Sequence, residues 1–516
     1  MDFSGGSVSL RRSPAAAGAE EAPAGRAWLW LGLGALLLPF TAWQTLIPFA
    51  AWLAPIFLLR FSRACRSRAV SPLIGVSYAI GTMVATLGTP FNLLGLIGNV
   101  ILKAMVWSLP YALDRALSRR LGGWARSLVF PSGFVVVDWV LAMVPLSSSG
   151  SPAYSQAGNL VLLQVISVTG MWAITFVIMW CAALVNELWE RRFQWRSMRG
   201  QLAVSAGAIA AVVLFGVLRL FFAAPGGQTV SAAAVTIDAA TAKRATDGFD
   251  WLGFPRYDDQ RRAALRERLD PTVTQMLSRT ETALRAGARV VGWQESSGWV
   301  LEEDKADVLC RASELARRYG AYLQISLEVF THAQKLPFVR NESILVDPSG
   351  VVAWTYDKTH PVPYDEAFVT IRGPGVLPVA QSPYGRLSTA ICYDTYFPAL
   401  IREAARAGAD ILFAPTNDSR PFATSALAMA TYRAIENGFA VLRPTGNGIS
   451  AVIDAQGRIL DSQDAFTSQA GIMMAGIPMH RTATVYSRIG DVFAWLCLAG
   501  VAAQLVAAVA LSRRGR

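Results

Sequence analysis

Cys392 closes an apolar run, Arg386-Leu-Ser-Thr-Ala-Ile-Cys-Tyr-Asp394, that reads as a buried strand breaking into a tight turn before the helix signal at Pro398. Such a turn presents a thiol as a nucleophile. Two charged residues upstream occupy similar strand-end settings: Glu295 in Arg289-Val-Val-Gly-Trp-Gln-Glu295 and Lys358 in Val351-Val-Ala-Trp-Thr-Tyr-Asp-Lys358. A carboxylate base, an ammonium and a thiol are what acyl transfer through a thioester needs: the base takes the thiol proton and the cation opposes the oxyanion. Singly, each has a plainer reading, as a small core cysteine, a turn cap and an exposed lysine. Their joint order along the chain favours chemistry.

The elements that must hold these residues alternate. Gln228–Asp238 alternates as a strand, and Pro271–Ala286 is an amphipathic helix leading through Gly287 to the strand that ends at Glu295. Leu301–Tyr319 reads as a helix and Ala321–Leu327 as the strand behind it. Hairpins turn at Asp347-Pro-Ser-Gly350 and at Asp454-Ala-Gln-Gly457. Between them come strand Leu387–Cys392, helix Pro398–Ala407, strand Asp410–Ala414 and helix Thr424–Asn437. This order predicts a layered α/β sandwich over residues 228–480.

The rest of the chain has another composition. Across 516 residues, 53% are hydrophobic and only 16% charged, which points to a membrane protein. Eight apolar spans are predicted, about 27–43, 44–60, 71–88, 90–112, 127–146, 160–184, 202–222 and 490–511. Residues 27–222 form a membrane domain of seven helices, 490–511 an eighth, and 1–26 a disordered cytoplasmic tail. Arginines fill alternate loops: Arg11, Arg12 and Arg26, then Arg60 to Arg68, Arg115 to Arg126, and Arg191 to Arg199, whereas Ser147–Asn159 carries no charge. The pattern predicts cytoplasmic termini and an extracytoplasmic soluble domain, with no need of a cleavable signal peptide.

The net charge of +11 reflects those loops and not a nucleic-acid face. Three histidines, His332, His360 and His480, and five cysteines show neither metal-ligand nor disulfide spacing, so no metal or cofactor is expected. Two ionisable residues lie inside the spans, Lys103 and Asp138. They read either as a mutual pair or as a polar feature near a lipid-headgroup site.

The chain resembles the apolipoprotein N-acyltransferases, membrane enzymes of the nitrilase superfamily. Tyr356-Asp-Lys-Thr-His-Pro-Val-Pro-Tyr-Asp-Glu366 is similar to the family's lysine segment and Ala390-Ile-Cys-Tyr-Asp394 to its cysteine segment. Arg433–Asp454 is similar to the stretch that follows, and Phe130-Pro131, Asp138-Trp139 and Tyr154-Ser-Gln156 to its membrane segments. The resemblance implies an α-β-β-α sandwich with a Glu295, Lys358 and Cys392 triad, helped by Glu366, Tyr393 and Asp394. In this reading Lys358 favours the thiolate and stabilises the oxyanion, with a backbone N–H near Tyr393 as second donor. It also implies a monomer in the bacterial inner membrane that moves an acyl chain from a phospholipid to the amine of a diacylglyceryl-cysteine lipoprotein. Departures are Trp293-Gln294-Glu295, where the family reads Trp-Pro-Glu, a short Ala367–Ile371 where it has a longer arm, and Ser419-Arg-Pro-Phe422 in place of Trp-Phe-Gly. They leave room for a membrane-tethered amidase or a transferase to another amine. His360, two residues from Lys358, is the rival base.

Overall fold

The computed structural model describes residues 24–88, 93–145, 147–222, 227–363, 366–468 and 471–514. Most of the expected tail, residues 1–23, lies outside them, as do Gly515 and Arg516. Nine helices, counted among the described residues, occupy the first part: α1 (Ala24–Leu37), α2 (Pro48–Ala64), α3 (Val70–Ala85), α4 (Leu93–Leu117), α5 (Gly123–Met143), α6 (Leu160–Leu163), α7 (Ile166–Thr169), α8 (Trp172–Glu190) and α9 (Arg199–Phe222). Of these, α5, α8 and α9 are long and apolar enough to cross a membrane, as is α16 (Val492–Arg514) near the end of the chain.

The sixth predicted span is not one helix. The chain breaks at Gly170, whose φ is +68°. A Cβ there would sit 2.5 Å from Cε2 of Tyr486, and the next amide, Met171 N–H, donates to Glu436 at 2.8 Å. Helix α7 packs on α14 (Ala423–Asn437) and α15 (Val485–Ile489) of the second part, whereas α6 packs on α9 of the bundle, and the long helix starts only at Trp172. Apolar composition alone cannot distinguish a span from a buried junction.

The arginines gather at one end of this bundle. Arg63 pairs with Asp114 at 2.8 Å, Arg126 with Glu190, and Arg191 with Glu187 at 2.9 Å. These residues end α2, α4 and α8 or begin α5. The opposite ends meet the second part: Trp43 packs edge-on against Phe422 at 5.2 Å, and Arg458 donates to the Leu220 carbonyl at 2.7 Å.

That second part is a two-sheet sandwich. One sheet holds β1 (Thr229–Val235), β2 (Val290–Trp293), β3 (Gly298–Leu301), β4 (Tyr322–Phe330), β5 (Val339–Val346), β6 (Val352–Asp357) and β13 (Ile472–Pro478), in the order β13-β1-β2-β4-β5-β6 with β3 on β4. The other runs β12 (Ile459–Asp464), β11 (Ile449–Ile453), β10 (Ala440–Arg443), β9 (Ile411–Phe413), β8 (Gly385–Thr389), β7 (Val379–Ser382). Strand parity builds the layers. Ala233 and Val235 face α11 (Asp259–Arg285) and α12 (Lys305–Tyr319), while Ala232 and Ala234 join Leu387, Phe413 and Leu442 between the sheets. Gly292 is needed there, since a Cβ would meet Leu442 and Phe413 at 3.2 Å. Helices α13 (Pro398–Arg406) and α14 cover the second sheet, giving α-β-β-α, and the short α10 (Ala239–Thr246) and α15 follow β1 and β13.

Helix α11 begins twelve residues before the predicted Pro271, which lies inside it. Asp258 caps it, accepting from Arg261 N–H at 2.9 Å, and its first half buries only Leu265 and Leu269. That apolar period is too sparse to read. Both hairpin turns stand where predicted, with Gly350 N–H on the Asp347 carbonyl and Gly457 N–H on that of Asp454, each at 2.9 Å.

Candidate active site

Strand ends supply Glu295, Lys358 and Cys392, and a turn after β6 supplies Glu366. Glu295 follows β2 and precedes Ser296, whose φ of +50° turns the chain into β3. Glu295 is 3% exposed and both carboxylate oxygens are occupied. One accepts from Lys358 Nζ at 2.7 Å and from Asn341 Nδ2 at 2.9 Å; the other accepts from Asn417 N–H at 2.9 Å. A carboxylate taken out of water needs such donors. Gln294, standing where a proline is usual, donates its N–H to the Val235 carbonyl at 3.0 Å, a bond that proline cannot make.

Lys358 follows β6 and is 1% exposed. Its ammonium also donates to Glu366, which accepts in turn from Val362 N–H at 2.8 Å. Burial pulls the Lys358 pKa down, but Glu295, Glu366 and the Cys392 sulfur outweigh it, so the group stays cationic. Burial raises the Glu366 pKa, with Glu295 adding to the rise and Lys358 opposing it.

Cys392 begins a single turn of 3-10 helix, Cys392–Tyr396, with φ at +47°. Such a left-handed conformation is costly for a non-glycine residue and must be held by its surroundings. Its N–H donates to the Pro415 carbonyl at 2.9 Å and its carbonyl accepts from Thr395 Oγ1 at 2.7 Å. Burial, then the Glu295 charge, raise the thiol pKa, and Lys358 offsets only part of this. Lys358 thus works toward the thiolate, but burial and Glu295 outweigh it, so the thiol pKa lies above its ordinary value.

Glu295, Lys358 and Glu366 thus form one ion-paired cluster whose field reaches Cys392. Asp394 does something else. Fully buried, it accepts from Tyr356 Oη and His360 N–H, each at 2.8 Å, and from Ile391 N–H at 3.2 Å, tying the cysteine turn to the lysine segment. His360 stacks on Phe397 at 3.7 Å with Nδ1 3.1 Å from Asp394, an arrangement that ties the rival base to this scaffold. Tyr393 points to the helical part, donating to the Pro145 carbonyl at 3.0 Å.

Three contributors escaped the sequence. Asn341 bridges the cluster, its amide on Glu295 and its carbonyl accepting from Lys358 N–H at 2.9 Å. Glu328 lies opposite Asn341 in the β4–β5 register and is 7% exposed. Burial raises its pKa to about 8, helped by Glu366 and Glu295 and opposed by a Ser296 hydrogen bond. Register would have signalled both, since pairing sets them on one face. Asn417 contributes a backbone N–H, which no residue type announces. Asp418 and Arg443 form a further buried pair nearby, and Cys310 is exposed on α12. Among the described residues no cluster of His, Cys, Asp and Glu is arranged for a metal ion.

Residues 261–486 match the carbon-nitrogen hydrolase family. Over its length the chain is similar to the apolipoprotein N-acyltransferase of Geobacter metallireducens, with 27% identity over 70% of each chain. It is also similar to that of Rhodopseudomonas palustris, with 25% identity over 88% of this chain and 89% of the relative. Among solved structures, an amidase from Nesterenkonia sp. superposes with a TM-score of 0.39 at 20% identity, covering 52% of this chain and 95% of that one.

Proposed function

From the premise that the chain is a relative of the apolipoprotein N-acyltransferases with a nitrilase-type hydrolase domain, we propose that it transfers an acyl chain through a thioester on Cys392. Glu295 takes the thiol proton as sulfur attacks the ester carbonyl of a membrane phospholipid, since the resting thiol is neutral. Lys358 opposes the developing oxyanion. Collapse returns the proton from Glu295 to the leaving alkoxide, and lysophospholipid departs. The amine of a diacylglyceryl-cysteine lipoprotein then attacks the thioester, Glu295 accepts the amine proton, and the thiol is regenerated as the amide forms. Glu366 holds Lys358 in place, and Asp394 and Tyr393 hold the turn that carries the sulfur.

The observation that carries this reading is a cysteine held at φ +47° beside a buried Glu295–Lys358–Glu366 cluster, at the junction with a bundle of apolar helices. The bundle selects lipid. Helices α9 and α16 leave Phe221, Phe222, Leu496 and Val506 64–76% exposed, an apolar surface that a bilayer would cover. Keeping an acyl chain in such surroundings avoids roughly 0.8 kcal/mol per methylene moved into water. The arginine-rich end of the bundle lies away from the hydrolase domain, which supports an extracytoplasmic catalytic domain and cytoplasmic basic loops.

Purified enzyme given a labelled phospholipid with and without a diacylated lipopeptide tests the reading. Lysophospholipid and a triacylated peptide are expected. Free fatty acid regardless of peptide would favour the membrane-tethered amidase that the short Ala367–Ile371 segment leaves open.

A further inference from the structure

The catalytic turn is gripped from the helical part. Besides the Tyr393 bond to Pro145, Ser148 donates both its N–H, at 3.1 Å, and its hydroxyl, at 2.6 Å, to the carbonyl of Tyr396. Tyr396 ends the turn that Cys392 begins. The loop that carries Ser148 is tightly wound. Ser147 has φ +57° and Gly150 φ +83°, and a Cβ at Gly150 would meet Trp107 at 3.1 Å. Nothing in its composition, all small and uncharged, would hold such a loop in one shape.

Two charged side chains from the helices below hold it. Lys103, on α4 and 2% exposed, donates to the Ser149 carbonyl at 2.7 Å and to its hydroxyl at 3.0 Å. Asp138, on α5 and 2% exposed, accepts from Ser151 Oγ at 2.6 Å and from Thr175 Oγ1 at 2.8 Å. Ser148 thus immediately precedes Ser149, which the lysine fixes, and lies three residues before Ser151, which bonds the aspartate. A charge inside apolar helices is expensive and is kept where it does something.

We propose that Lys103 and Asp138 are positioning residues for the nucleophile: acting through the loop Ser147–Ser151, they set where the Cys392–Tyr396 turn stands. This inference rests on Cys392 being the nucleophile. Removing either charge lets the Tyr396 carbonyl, and with it the thiol, drift from the carbonyl carbon to be attacked. Displacements of about 1 Å cost on the order of a hundredfold in rate. Binding of the lipid, which does not need the thiol aligned, changes little.

The test is single-turnover acylation of the full-length protein in mixed micelles of a fluorescent-tagged phospholipid, read as adduct on Cys392. Lys103→Met and Asp138→Asn should lower the saturating rate by roughly ten- to a hundredfold, with the half-saturating lipid concentration nearly unchanged. Ser148→Ala should lower it less, and Lys103→Met combined with Ser148→Ala should be no slower than Lys103→Met alone, because both act through one grip. Should either charge variant fail to fold, Ser151→Ala, which removes one of the two donors to Asp138, takes its place with the same expectation. A saturating rate near wild type in both charge variants would overturn the proposal. So would a loss confined to half-saturation, or losses that multiply in the double variant. Adduct persisting in Cys392→Ala would instead overturn the nucleophile assignment, so the two failures are distinguishable.

Discussion

The charged half of the site and the nucleophile half are held by different parts of the chain. Glu295, Asn341 and Lys358 belong to strands of one sheet or their ends, all three are at most 3% exposed, and they secure one another. The Cys392 turn comes from the other sheet, and hydrogen bonds from the helical part, at Pro145 and Ser148, reach it. A soluble hydrolase could carry the first half unchanged, but not the second as it is anchored here. On the proposed reading, the region that holds the lipid also sets where the sulfur stands, and it reaches the base and cation through the Asp394 and Asn417 bonds that join the two halves.

The sharpest test of that contrast is Cys392 itself. Cys392→Ala should abolish the acyl adduct seen by intact-protein mass spectrometry and leave thermal stability almost unchanged, because the sulfur makes no bond that holds the fold. Cys392→Gly should be about 1 kcal/mol more stable than the alanine variant, since glycine relieves the left-handed strain. An adduct persisting on another cysteine would break the assignment. Lys358→Met comes next. Loss of a group opposing an oxyanion costs about 3 to 4 kcal/mol in the barrier, so acylation should slow by two to three orders of magnitude. Unlike the cysteine variants it should also lower the melting temperature, because two buried carboxylates lose their cation. Equal melting temperatures for Lys358→Met and Cys392→Ala would erase the distinction between the halves.

Much of the sandwich domain was legible because its elements obey simple periods. Alternation marked β1, the Asp-Pro-Ser-Gly turn marked the β5–β6 hairpin, and a strand end before a turn marked Cys392. What escaped depends on distance in sequence. Asn341 and Glu328 matter because pairing of β4 with β5 turns them toward Glu295, and the Asn417 amide arrives from the other sheet. In the helical part, apolar runs located the helices but concealed that residues 160–184 break into three helices, of which α7 packs on the second part. Lys103 and Asp138 were visible as charges, but composition could not show that both bond to the same loop.

Asn341 tests how self-contained the charged half is. Asn341→Ala removes one hydrogen bond to the Glu295 carboxylate, worth about 1.5 to 3 kcal/mol for a charged acceptor. The acylation rate should fall roughly ten- to a hundredfold on that basis, without the crossing bonds at Pro145 and Ser148 being touched. The half-loss should therefore multiply with that of Ser148→Ala in a double-mutant cycle on acylation rates. Coupling between the two sites would show that the halves are not independent.

Glu328 gives the smallest effect at neutral pH and the clearest pH signature. Burial, then repulsion by Glu366 and Glu295, lifts its pKa from the ordinary 4.5 to about 8, with the Ser296 hydrogen bond working the other way. Below about pH 4.5 both folded and unfolded chains hold the proton; between there and about pH 8 only the folded chain does. Stability contributed by this group is therefore greatest at the acid side and is lost as pH rises toward the folded pKa, at up to about 1.4 kcal/mol per pH unit. Glu328→Gln, which imitates the protonated acid, should remove that slope: near pH 4.5 the variant and wild type should unfold at similar denaturant concentrations, and the variant should become increasingly the more stable as pH rises to about 8. Acylation should be within tenfold of wild type at neutral pH. Above pH 8 wild type should slow, as a further negative charge appears beside Glu295 and Lys358, while the glutamine variant holds its rate. Parallel pH profiles for the two proteins would mean that Glu328 is already ionised at neutral pH, and the charged half would then carry one more negative charge than the geometry implies.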